Sequence, residues 1–555
     1  MPFYPTGYNY IQYAYIKDIQ SYSKYDSRCN CRNRIFSRDN FCGIFNLHRP
    51  FSQNMILKPA VEDFKIIGYY LGKIILGLSI AMILPAGIGL LLGEINPAVD
   101  FLIAIIITII LALILSKLCF VKKDLKTAHG MIVVSLSWLA AMLLSAIPLY
   151  LSSHYKSFLD ACFEMMSGFT TTGLILVQDL DHLSCAHNLW RHLGPFIGGQ
   201  GIAIVALSLF IKGTAGAFRI YVGEARDERL LPNVIHTARF IWLISVIYLI
   251  LGTLVLGGVG VSIGMKPVNA FFHGACIFMA GFDTAGFAPQ SQNILYYHSL
   301  VFETLTIVIM IIGSFNFNLH YQLWIGNRKE IFKNIETRTF LISIMLTFFI
   351  TAIGLNQLRV YPQAIVLFRK GFFHLISGHT TTGYMTIYAR QFLTEWGGVA
   401  MVAMICAMAL GGCICSTAGG IKMFRLGVIY KALREDMKKL LLPRSAIFIQ
   451  KFHHIKDVFL SDQQIRPVVI ITISYLILYL IGAIAGMICG YPFLDSLFES
   501  TSAAANVGLS CGITDAGMPV ALKVIYIIQM WMGRLEFISV FALLGLFVAI
   551  IKGKK

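Results

Sequence analysis

Charge is what this chain has least of. Asp and Glu together number 28 among 555 residues, and all charged types make up 13% against 57% hydrophobic residues, which excludes a string of soluble domains and places the chain in the membrane class. Also missing is a G-x-x-x-x-G-K-[ST] phosphate loop, and the run GGVGVSIG at 257–264 lies in an apolar stretch without the strand that a dinucleotide site needs. No nucleophile, base and orienting group form a catalytic set, so the chain is not read as an enzyme and no organic cofactor is expected. The formal charge of +17 is not gathered into basic patches with interleaved aromatics, so nucleic acid is not an expected partner. Residues 1–54 lack apolar periodicity and the regions of a secretory signal. They are expected to be a disordered or dispensable tail, with Met55 as candidate natural start. Within that tail Cys29, Cys31, Cys42 and His48 match no standard zinc spacing, so no transition-metal site is expected. The twelve cysteines, Cys276, Cys406 and Cys489 among them, are read as buried free thiols.

What is abundant is apolar sequence in runs long enough to cross about 30 Å of hydrocarbon as helices. They lie at 66–93, 97–119, 129–151, 194–212, 237–263, 298–322, 337–356, 395–421, 465–489 and 520–551, predicting ten spans. Basic residues gather between particular spans: Lys122, Lys123 and Lys126; Lys212, Arg219, Arg226 and Arg229; Arg328, Lys329 and Lys333; Lys422, Arg425, Lys431, Arg434, Lys438 and Lys439; and Lys552, Lys554 and Lys555. The excess of positive charge in cytoplasmic loops puts these segments and both termini inside a plasma (inner) membrane.

Four stretches of sixteen residues open on Phe and close on Gly. They are Phe158 to Gly173 (FLDACFEMMSGFTTTG), Phe271 to Gly286 (FFHGACIFMAGFDTAG), Phe368 to Gly383 (FRKGFFHLISGHTTTG) and Phe493 to Gly508 (FLDSLFESTSAAANVG). Each is flanked by spans, so all four face outward and share one orientation about an axis along the membrane normal. The first dozen residues of each suit a half-membrane pore helix. The ends must leave the helix, and their glycines reach positive φ at little cost. Thr171, Thr172 and Gly173, Thr284, Ala285 and Gly286, Thr381, Thr382 and Gly383, and Asn506, Val507 and Gly508 are therefore candidates for carbonyl rings that replace the water shell of K⁺. A plain Thr/Gly turn between two helices explains one copy, but not four at matching places.

A second irregularity is GGCICSTAGG, with Gly411, Gly412, Cys413, Ser416, Thr417, Gly419 and Gly420 as its candidate gate residues. So many glycines weaken a helix, predicting a loop below the filter that occludes the pore; a close-packed interface of small residues is the alternative. Arg534, near mid-membrane, needs a polar cavity or a partner, and is expected to form a pore-lining barrier beside Glu536 or the loop carbonyls, or else a structural ion pair. Asp160 with Glu164 and Asp495 with Glu499 are expected to concentrate cations at the mouth or to cap helix N-termini. His374 and His379 are read as packing or hydrogen-bonding residues, and Asp283 as a charge at the filter entrance.

These segments, together with GGCICSTAGGIKMFR from Gly411 to Arg425 and GRLEFISVF from Gly533 to Phe541, resemble the Trk/Ktr/HKT superfamily of K⁺ transporters over residues 66 to 551, most of all its TrkH branch. The resemblance implies an all-α polytopic membrane protein: four helix–pore loop–helix repeats around a pseudo-fourfold pore, preceded by two extra spans. The expected division is 1–54 tail, 55–121 helix pair, 122–235 first repeat, 236–335 second, 336–460 third with the intramembrane gating loop, and 461–555 fourth. It further implies K⁺ uptake through a gated filter with a glycine from each repeat, a homodimer in lipid, and a cytosolic TrkA-like nucleotide-binding ring. Asp283, His379 and Cys415 depart from the pattern expected of the superfamily. The competing expectations are a Na⁺- or H⁺-coupled transporter of another solute, or a Na⁺/K⁺ transporter of the same fold.

Overall fold

The computed structural model describes residues 58–121, 123, 125–201, 234–443 and 448–553. The tail with its Cys29, Cys31, Cys42 and His48, Met55, Lys122, Lys212, Arg219, Arg226, Arg229, Lys554, Lys555 and the end of the 194–212 run lie outside the described residues.

Among the described residues six helices are long and apolar enough to cross a membrane, or up to eight if each of two bent pairs counts as one span. Two helices come first, Val61–Leu91 with a break at Met82, and Ile95–Leu118. They pack closely because Gly68 and Gly72 carry no side chain: a Cβ would come within 2.6 Å of Cys119 Sγ and 2.7 Å of Ser116 Oγ. Small residues serve this purpose where lipid offers no hydrophobic drive between helices.

Four units follow, each a long helix, a short buried helix and a returning helix. The long ones are Thr127–Leu151, Val234–Ser262, Ile335–Gln357 and Asp462–Ile488. The short ones are Phe158–Phe169, Pro267–Phe282, Phe373–His379 and Phe493–Ala504. Ser157 caps the first, its hydroxyl accepting from the Asp160 N–H at 3.2 Å. The second starts four residues before Phe271, on Pro267 at the first helical position, where the missing N–H costs nothing. The third is not one regular helix over its first dozen residues: a π turn spans Leu367–Phe372 before the α-helix.

The returning helices are shorter and more broken than continuous apolar runs predict. The first is Cys185–Gln200, beginning nine residues before the expected span. The 298–322 run is two helices, Leu300–Ser314 and Phe317–Trp324, bent by 100° where Phe315 becomes extended and Asn316 caps the second. The 395–421 run is helical only to Ala409. The 520–551 run is Val520–Arg534 and Ile538–Lys552, bent by 113° at Glu536 and Phe537, whose φ values are 49° and 69°. Hydropathy could not reveal these bends because the few polar residues at them, Asn316, Arg534 and Glu536, sit inside otherwise apolar runs.

In three units a glycine of the returning helix lies under the last turn of the short helix. A Cβ on Gly198, Gly313 or Gly533 would stand 1.9, 1.9 or 2.0 Å from the carbonyl oxygens of Phe169, Phe282 and Ala504. The only β-strands among the described residues are Lys451–His454 and Lys456–Phe459, an antiparallel hairpin not expected from the sequence. It docks through His453, whose Nε2 is 3.1 Å from Glu330 Oε2 and Nδ1 2.8 Å from Asp457 Oδ1. Burial lowers the affinity of this imidazole for a proton, but the two carboxylates outweigh it and hold the pKa above the ordinary 6.5.

Candidate functional site

The four short helices end alike. The N–H groups of Thr172, Ala285, Thr382 and Val507 donate to carbonyls five residues back, Ser167, Ala280, Ser377 and Ser502, at 2.7, 2.7, 2.8 and 2.8 Å. Those of Thr171, Thr284, Thr381 and Asn506 reach three residues back, to Gly168, Gly281, Gly378 and Ala503, at 2.9, 3.3, 3.0 and 3.3 Å. This pair of bonds is the Schellman termination, which requires a left-handed residue between them. Here that residue is Thr171, Thr284, Thr381 or Asn506, with φ of 55°, 51°, 53° and 56°. Asn tolerates this conformation; a β-branched Thr does so only under constraint, at about 1–3 kcal/mol. Positive φ was expected at the glycines alone. Gly173, Gly286, Gly383 and Gly508 have it too, at 93°, 65°, 88° and 91°.

The four ends meet in a closed ring. A Cβ on Gly173 would lie 2.2 Å from the Ala285 carbonyl oxygen, on Gly286 2.2 Å from Thr382 O, on Gly383 2.1 Å from Val507 O, and on Gly508 2.1 Å from Thr172 O. Each glycine thus abuts the carbonyl preceding the glycine of the next repeat, in the order one, two, three, four and back to one. A side chain at any of these positions would displace backbone. Glycine is required here for close approach as well as for its φ.

Outside the ring, three of the four returning strands are braced by one position of the repeat, the seventh. Glu164 Oε2 accepts the Leu176 N–H at 2.7 Å, His374 Nε2 accepts the Thr386 N–H at 3.1 Å, and Glu499 Oε1 accepts the Cys511 N–H at 3.1 Å. Each donor stands three residues after its filter-candidate glycine. Glu164 also takes Arg191 Nε and Nη2 at 2.9 and 2.7 Å, with both side chains fully buried. Asp160 pairs with Lys523 Nζ at 2.6 Å. Asp160, Glu164 and Glu499 are therefore not mouth anions exposed to arriving cations, as one expectation had it: all three are buried and hold protein donors. Asp495, partly exposed, sits in the first turn of its helix, where the helix dipole favours a carboxylate. Asp283 is also fully buried, accepting from Gln200 Nε2 at 2.9 Å. His379 Nε2 lies 2.9 Å from Thr347 Oγ1, a hydrogen-bonding role.

Residues Gly411 to Gly420 form a loop held by its own ends: Gly411 N donates to Ile421 O and Ile421 N to Ala409 O, both at 3.0 Å. Its tip lies against the left-handed residues of the ring. Gly419 N donates to Thr381 Oγ1 at 2.8 Å, Thr171 Oγ1 to Thr417 O at 3.3 Å, and Thr284 Oγ1 to Thr417 Oγ1 at 3.4 Å. A Cβ on Gly419 would come within 2.2 Å of Ala505 O. Thr417 Oγ1 donates toward Phe282 O and Gly313 O at 3.0 and 2.9 Å, Cys413 N to Ser314 O at 2.9 Å, and Ile414 N to Glu336 Oε1 at 2.7 Å. Ser416 and Gly419 border a cavity of about 30 Å³, together with Arg534. Gly412 and Gly420 are packed too tightly for a side chain, with neighbours at 2.7 and 3.0 Å from a Cβ.

Arg534 ends its helix at the bend and spreads over carbonyls: Nη1 donates to Thr417 O and, at 3.2 Å, to Thr171 Oγ1; Nη2 donates to Gly198 O at 2.9 Å and Gly199 O at 3.1 Å. Of the two neighbours expected, the carbonyls hold it, while Glu536 pairs with Arg425 and, at 3.9 Å, with Lys422 Nζ. Lys422 also donates to Ala418 O. The foot of the loop is thereby clamped to the break in the last span. The nine described cysteines are free; Cys276 is buried as expected, but Cys489 is only half-buried and Cys406 is exposed on the surface.

The fold has clear relatives. The chain is 31% identical over 488 residues to an uncharacterized cation transporter of Methanocaldococcus jannaschii, an alignment covering 88% of this chain and 97% of that protein. It is 27% identical to the Trk system potassium uptake protein TrkH of Escherichia coli strain K12, over 77% of this chain and 86% of the relative. The crystal structure of the potassium transporter TrkH from Vibrio parahaemolyticus superposes with a TM-score of 0.74 at 23% identity, over 87% of this chain and 98% of that one. The family profile described as TrkH, cation transport protein, matches residues 98–546, and the chain belongs to that family.

Proposed function

We propose that this protein takes up K⁺ across the plasma membrane through the ring at Gly173, Gly286, Gly383 and Gly508. The observation that carries this is the closed contact of each glycine with the carbonyl of the next repeat. Four backbone segments around one axis offer oxygens in place of a hydration shell, and irregular backbone at that depth is tolerated where it lines a watery path. The pore-helix ends add roughly −0.5 elementary charge each beside the ion, favouring cations of any kind, so discrimination falls to the ring. The names of relatives in the same family, potassium uptake proteins, support K⁺ as the ion.

The Gly411–Gly420 loop closes the path below the ring, and Arg534 places a positive charge there. Its bonds to Thr417 O and Thr171 Oγ1 join the loop to the ring, and releasing them opens the pore. A homodimer with a cytosolic nucleotide-binding ring completes the assembly, with the basic loops and both termini on the cytosolic side. Expression of the full chain with its partner in a bacterium lacking K⁺ uptake tests the proposal. Growth at low K⁺ is the expected result, and failure where a known K⁺ transporter restores growth overturns it.

A further inference from the structure

The second repeat lacks both halves of the brace that the other three share. Its seventh position is Ile277, whose side chain has no acceptor, and the residue three past its glycine is Pro289, which has no N–H. Its glycine also differs, with a φ of 65° where the other three lie between 88° and 93°. One side chain stands where the brace is missing. Asn293 Nδ2 donates to the Gly286 carbonyl at 3.2 Å, while its Oδ1 accepts from Ile294 N at 2.9 Å and, across to the third repeat, from Met385 N at 3.2 Å. Only this orientation of the amide satisfies all three, since two partners are N–H groups and the third is a carbonyl. Asn293 borders the outer vestibule that Gly173, Gly286, Gly383 and Gly508 also line. Its own φ of 54° is one that Asn adopts without the cost borne by other side chains.

We infer that Asn293 is a positioning residue for ion selection: it fixes the Gly286 carbonyl and ties the second strand of the ring to the third, replacing the missing pore-helix brace. The inference rests on the K⁺ filter reading above. A carbonyl oxygen has two lone pairs, so it can take the Asn293 N–H with one and face an ion with the other. In this repeat the oxygen keeps its distance from the axis through that bond. Without it, the ring adapts more easily to a smaller, partly hydrated ion, and discrimination against Na⁺ falls.

Asn293→Asp removes the donor. It keeps the shape, the tolerance of left-handed backbone and the acceptor for Ile294 and Met385, loses the N–H to Gly286 and turns a carboxylate oxygen toward that carbonyl instead. The added negative charge attracts every cation, so the K⁺/Na⁺ flux ratio, not total flux, is the readout. In proteoliposomes holding the full chain, the ratio is expected to fall about fivefold, the worth of one net hydrogen bond. Asn293→Ala, which removes all three bonds without adding charge, is expected to lower it at least as far and serves as the second variant. A K⁺-selective wild type with an unchanged ratio in a variant that elutes as folded protein overturns this inference and leaves the K⁺ reading standing. A wild type that passes K⁺ and Na⁺ alike overturns both.

Discussion

Replacing Gly383 by serine puts a Cβ 2.1 Å from the Val507 carbonyl oxygen and 2.9 Å from Gly508 Cα. Carbon contacts are optimal at about 3.5–4.0 Å, so the new atom and the oxygen must part by roughly 1 Å or more. Neither can turn aside, because both belong to backbone in the ring. The φ of 88° adds strain for any residue with a side chain, about 1–3 kcal/mol. If the ring is the K⁺ filter proposed above, part of this load distorts the oxygen positions that separate K⁺ from Na⁺. If about 1–2 kcal/mol of the difference between the ions is lost, the flux ratio falls by roughly 5- to 30-fold. The assay is ion flux in proteoliposomes with matched K⁺ and Na⁺ gradients. Gly490→Ala is the control: Gly490 has a φ of 93° but nothing within 4 Å of its Cβ position, so it carries backbone strain without touching the ring. The expected outcome is a lowered ratio in Gly383→Ser and an unchanged one in Gly490→Ala. An unchanged ratio in folded Gly383→Ser, or an equal fall in both, would refute the argument.

Arg534→Ala removes charge-assisted bonds to Thr417 O, Gly198 O and Gly199 O, worth about 1.5–3 kcal/mol each, and should raise flux several-fold. Deleting Ile414 to Gly419 should raise it further; flux that is unaltered or lower at normal expression would make the loop a packing element. At the hairpin, the raised pKa of His453 means that its clasp on Asp457 and Glu330 is complete below 6.5 and is lost as the pH climbs through the higher folded value. Amide exchange over 451–459, corrected for intrinsic rates, should therefore lose protection as the pH rises above 6.5 in the wild type but not in His453→Gln. Equal slopes in the two proteins would show that His453 does not hold the hairpin.

Membrane class, four units of one orientation and the breaks at the four glycines were legible because each is written in neighbouring residues. Span length needs only a run of apolar side chains, and a glycine announces a left-handed position by its own chemistry. The bends at Phe315 and at Glu536 with Phe537 were not legible, since an isolated polar residue such as Asn316 or Glu536 in an apolar run fits a straight span facing a cavity as well as a broken one. Nor was the burial of Glu164 and Glu499: a carboxylate near a pore suggests an exposed charge until its donors, Leu176 and Arg191 or Cys511 and Ser510, are seen to surround it.

The sequence by itself determined that this protein spans a membrane and repeats one pore-forming unit four times, through interactions a few residues long. Tertiary structure alone decided that Thr171, Thr284 and Thr381 turn left-handed, that Arg534 serves carbonyls while Glu536 serves Arg425, and that Asn293 stands in for the brace missing at Ile277 and Pro289. Threonine and arginine have no local preference for those states. Partners from 38 to 363 residues away in the chain impose them, because in the dense interior every donor and carbonyl must find a partner wherever the fold places one.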